Sequence, residues 1–194
     1  MSLATTTLVL CVSVVVLQTA VVNQPPPPDF KVAISGEVVA DFSARMTAYA
    51  NLRRRLEDGL TPLRVTDDPS EIIRAETALA HRIRLARQGS RRGEIFTPKI
   101  RAAFRQILRA ETTAGRCASI LDDNPGEFSY RVNGSYPKTQ PLSTVPPGIL
   151  NVLPRLPEDV QYRFLHRDLI LHDSRANVIL DRIDEAIRCP RELR

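Results

Sequence analysis

The chain has 194 residues, enough for one domain with a sizeable core. Its 43% hydrophobic and 25% charged content excludes a disordered polyelectrolyte, and the absence of Trp with only 5% aromatics leaves little for stacking bases or sugars. The formal net charge of +5 is unevenly placed: residues 45–116 carry 16 Lys/Arg against 8 Asp/Glu, and residues 117–194 carry 10 against 11.

Residues 1–24 hold no charged side chain. Leu8 to Leu17 is apolar apart from Ser13, and Thr19-Ala20 follows. This pattern predicts a secretory signal cut after Ala20, although the n-region lacks Lys and Arg. Left uncut, Leu3 to Val22 has about the 20 apolar residues that span a bilayer. Pro25 to Pro28 make a stiff spacer, so residues 25–34 read as a linker. A single α+β domain is expected over 35–188, with a tail at 189–194.

Ser35 to Leu60 is the first expected helix, with Val39, Phe42, Met46, Tyr49, Leu56 and Leu60 on one stripe. Arg53 falls on that stripe, so the helix either ends its burial there or snorkels the guanidinium outward. Asp68-Pro69-Ser70-Glu71 starts a second helix, with an acid at the N-cap and Pro at the first position. Gly89 and Gly93 end it. Thr97-Pro98 repeats the start signal, and Ile100, Phe104, Ile107 and Leu108 carry the third stripe toward Gly115. Asn133-Gly134 within Phe128 to Tyr136 predicts a hairpin. Ile149 to Leu153, amid prolines, fits a helical turn or two.

From Gln161 onward the character changes. Tyr162 to Leu165, Leu169 to Leu171 and Val178 to Leu180 are short β-rich runs separated by turn-forming residues. They predict an antiparallel meander with one face buried under the helices and the other open to water. The expected fold is therefore α+β, about three amphipathic helices packed against a small C-terminal antiparallel β-meander.

The residues Leu156-Pro157, Tyr162-Arg163-Phe164, Leu169-Ile170-Leu171, Asp173, Ala176-Asn177, Ile179 and Asp181, with Phe96-Thr97-Pro98 and Tyr136-Pro137 upstream, are similar to a family of uncharacterised small exported bacterial proteins. The resemblance covers about the last two thirds of the chain. It implies export and an α+β domain, and it supplies no catalytic residue.

Three constellations carry possible chemistry. His166, His172 and Asp168 lie within seven residues, and two imidazoles with a carboxylate can hold a transition metal. Their alternative is a polar outward face with a turn acid. Cys117 and Cys189 are the cysteines beyond the leader, and an exported domain would pair them in an oxidising compartment. Arg101, Arg105 and Arg109, spaced at four, line one side of the third helix. Such a ridge can meet nucleic acid or anionic lipid, yet the plainer reading is a solvated helix face. No G-x-S-x-G, H-E-x-x-H, P-loop or G-x-G-x-x-G occurs. The expected protein is an envelope structural or interaction module that needs no cofactor. Its partner is a protein rather than nucleic acid, and the N-terminal segment holds the membrane if it is uncleaved.

Overall fold

The computed structural model describes residues 34–61, 66–123 and 128–189. The leader, most of the proline linker and the tail beyond Cys189 lie outside the described residues. Among the described residues five helices precede one sheet: α1 Gly36–Asp58, α2 Pro69–Ala86, α3 Pro98–Glu111, α4 Ala114–Asp122 and α5 Pro147–Leu150. The strands are β1 Val160–Leu165, β2 Asp168–Asp173 and β3 Val178–Ile183, paired antiparallel in the order β1-β2-β3. The architecture is the expected α+β fold with a C-terminal meander. No helix among the described residues is long and apolar enough to cross a membrane.

The helix starts follow their caps. Ser35 accepts from Val38 N, Asp68 from Ser70 N at 2.8 Å and Thr97 from Ile100 N, with Pro in the first turn of α2 and α3. Sequence reading ran the third helix on toward Gly115. Instead Thr112 turns its hydroxyl back onto Leu108 O at 2.6 Å, and Thr113 caps a separate α4. Gly115 sits inside the first turn of that helix, with open space where a Cβ would go.

The main core lies between the helices and one sheet face. Phe42 of α1 and Phe104 of α3 meet with ring centroids 5.1 Å apart, and Phe96 joins Phe104 at 5.3 Å. Tyr162 completes the cluster 6.1 Å from Phe104, and its hydroxyl donates to Pro154 O at 2.9 Å. Edge and tilted arrangements of this kind suit the ring quadrupoles. Phe164, Leu169, Leu171, Val178, Leu180 and Ile183 supply the sheet side of this core. A bulge shifts the β2–β3 register between Leu171 and His172: Leu171 pairs with Asp181 and His172 with Ile179, which leaves Leu180 as the extra residue.

The opposite sheet face is not open to water as the meander pattern predicts. Leu165, Ile170 and Ile179 bury there against Tyr136, with Phe128 and Tyr130 packed on them. The cover is the segment 128–145, an irregular strap. Its Asn133-Gly134 does not close a hairpin. Asn133 takes a left-handed φ of 62°, its N–H donates to Ile179 O at 2.7 Å, and Gly134 O accepts from Ile179 N at 2.9 Å. The strap therefore pairs with the free edge of β3, which blunts it. Asn133 Nδ2 also donates to Arg84 O and Arg87 O at 3.0 and 3.1 Å, closing carbonyls that α2 leaves open at its C-terminus.

Cys117 of α4 and Cys189 stand at disulfide distance, with Cα atoms 5.5 Å apart and a sequence separation of 72. The pair ties the end of the chain to the helical layer. Ile187 is buried just before it, and its N–H donates to Arg167 O at 3.2 Å.

Candidate functional site

The arginine excess of the helical middle has a structural use. Arg45 donates to Glu94 O at 2.7 Å, Arg82 to Leu56 O at 3.0 Å, Arg87 to Leu180 O at 2.9 Å and Arg105 to Asp184 O at 2.6 Å. A planar guanidinium has several fixed donors and is weakly hydrated, so it can staple one element to the carbonyls of another where an ammonium would fit less well. This use bears directly on the predicted ridge. Arg105 is committed to the turn after β3, Arg101 is half-buried beside Gly93, and Arg109 is exposed.

Two buried carboxylates hold the sheet to the helices. Asp181, fully buried, accepts from Gly93 N, Ile95 N and Phe96 N at 2.8–2.9 Å. Asp173, also fully buried, accepts from Tyr49 Oη at 2.5 Å and from Ala176 N at 2.9 Å. Burial, and then the charge of Asp173, push the Tyr49 phenol far above its ordinary range, so it stays a donor. Arg53 does not snorkel out. It turns across this cluster, 2.7 Å from Asp159 and 3.9 Å from Asp173. The arrangement satisfies the buried charge of Asp173 inside the fold.

The predicted metal residues separate. His172 is buried on β2 under the strap, its Nε2 is 3.0 Å from Asn177 Oδ1, and its ring is 5.5 Å from Tyr136. Since Asn177 Nδ2 donates to Tyr136 O, its Oδ1 accepts, which fixes the proton on Nε2. Burial holds the imidazole below its usual range, and the nearby Arg163 charge adds to that. His166 lies in the two-residue turn between β1 and β2, at a left-handed φ of 52°. Asp168 and His172 are four residues apart on one strand, about 13 Å at strand rise. Among the described residues no three His, Cys, Asp or Glu side chains converge as a metal group.

His166 and Asp168 do share a different feature. They line an open cavity of about 460 Å³ with Phe128, Ser129, Tyr130, Leu165 and Glu185. Asp168 Oδ2 accepts the Tyr130 hydroxyl, and Oδ1 accepts Glu185 N at 2.8 Å. Burial, with the Asp168 hydrogen bond behind it, drives the Tyr130 phenol well above its normal value. The phenol therefore stays protonated and donates. Phe128 and Tyr130 form a tilted pair with centroids 5.9 Å apart. Arg182 stands over the Tyr130 ring at 5.0 Å and shares Asp184, 3.0 Å away, with Arg92. The cavity combines an aromatic corner, an apolar floor at Leu165 and two carboxylates. Sequence reading found two of its polar residues but not Phe128, Tyr130 or Glu185, which reach it from segments far apart in the chain.

No family model matches this chain, and no curated protein or solved structure is similar to it.

Proposed function

We propose that the protein is an exported cell-envelope component, a non-catalytic interaction module of the small exported bacterial type that its C-terminal motifs resemble. The observation that carries this reading is the Cys117–Cys189 pair at disulfide distance. Such a cross-link persists in oxidising compartments and is rare in the cytosol. The uncharged apolar leader and proline spacer support the same destination, delivering the domain to the periplasm or holding it off the membrane if uncut. The non-catalytic part rests on the use of the buried charges. Asp173 and Asp181 are engaged by donors that hold elements together, and His172 is held by Asn177.

Cell fractionation of a C-terminally tagged chain tests the address. The tagged protein is expected in the periplasmic or membrane fraction. Recovery of the full-length chain in the cytosol would overturn the proposal.

A further inference from the structure

The cavity at the β1–β2 turn carries a more specific reading. Its charged lining groups, Asp168 and Glu185, are both acidic. Two cations stand beside it: Arg182, which shares Asp184 with Arg92, and Arg167, held loosely 3.9 Å from Glu185. The Glu185 carboxylate is more than half exposed, so a better placed cation can take it from Arg167. The aromatic corner of Phe128 and Tyr130 presents the ring faces and edges beside which organic cations settle, within about 6 Å of a centroid. Arg182 over Tyr130 shows that this ring already holds a guanidinium. Leu165 forms an apolar wall suited to a methylene stem. A neutral sugar also stacks on aromatic rings and its hydroxyls donate to carboxylates, but it leaves the two like charges without a counter-charge.

We infer that this cavity receives the alkylammonium or guanidinium head of a lysine or arginine side chain presented by a partner protein. Phe128 and Tyr130 flank the head, Leu165 contacts the stem, and Glu185 with Asp168 supplies the counter-charge. The inference rests on reading the chain as an interaction module, but not on its export.

Titration of the folded, disulfide-closed chain with Nα-acetyl-lysine methylamide and its arginine counterpart, followed by amide NMR, tests it. Saturable shifts are expected at Ser129, His166 and Glu185, weakening as salt is added. Glu185→Gln is expected to weaken binding about three- to fivefold. Asp168→Asn keeps an oxygen for Glu185 N, and combined with Glu185→Gln it is expected to bring the loss to about tenfold. Tyr130→Phe keeps the ring and is expected to retain binding. The neutral norleucine analogue is expected to bind far more weakly. No saturable shift with either cation, equal binding of the norleucine analogue, or binding of a methyl glycoside in place of the cations would each overturn the inference. A silent cavity in a disulfide-closed envelope protein removes this inference alone. A reduced cytosolic chain that still binds the cations removes the envelope reading and leaves the cavity standing.

Discussion

Asp173 and Asp181 show how single polar residues organise this fold. Each is fully buried, and each takes a donor from an element far away in the chain, 124 residues off for Asp173 and 85 for Asp181. Leaving a buried acceptor without its donor costs about 1–3 kcal/mol. Tyr49→Phe removes the shortest bond to Asp173, and urea unfolding is expected to report a loss in that range. His172 carries a pH prediction. Its folded imidazole titrates below the ordinary value of 6.5 because burial disfavours the charge. Below that pH the unfolded chain binds the extra proton and the folded chain resists it, so stability falls as pH drops through about 6.5 toward the folded value. Above that window the His172 contribution is complete. His172→Gln retains a donor for Asn177 and cannot titrate. Urea midpoints between pH 7.5 and 5.5, as about two units spanning this window, are expected to fall less in that variant. An unchanged slope would assign the effect elsewhere. None of these burials was legible in sequence. A polar residue on a strand looks solvent-facing until its distant partners are known, and His172 accordingly fits the alternative of a polar outward face.

At the scale of elements, much was legible and one element was not. The apolar repeats and the caps Asp68 and Thr97 located α2 and α3, and the β-rich runs located all three strands within a few residues. Those signals are local, so one chain suffices to read them. α4 was missed because Gly115 looks like a stop, whereas Thr113 makes it part of a new first turn. The strap was misread for a different reason. Asn-Gly signals a tight turn with positive φ, and Asn133 adopts one, but its pairing partner is β3 rather than its own return strand. Asn133 joins the strap to the end of α2 through two carbonyls. Asn133→Asp replaces the donor with a negative charge facing those carbonyls and the helix C-terminus. The expected loss is about 1–3 kcal/mol, read by thermal or urea unfolding. Asn133→Gly keeps the positive φ and is expected to lose less. Equal losses would mean that the lost donor, common to both variants, accounts for the whole effect and the charge adds nothing.

Over the whole molecule, the sheet is covered on both faces, by helices on one side and the strap on the other. The C-terminus is tied back at Cys117. Closing a loop of 72 residues constrains the unfolded chain by about 4 kcal/mol in the chain-entropy account. Cys117→Ser with Cys189→Ser is expected to lower the unfolding free energy by roughly that amount. The same pair bears on the proposed address, since an oxidising compartment keeps such a cross-link closed. The most direct measurement is mass spectrometry of the protein from its native cell fraction, alkylated before and after reduction. The account predicts that Cys117 and Cys189 become alkylated only after reduction and that the protein resides in the envelope. Both thiols labelled without reductant, on an intact chain from the cytosol, would contradict it.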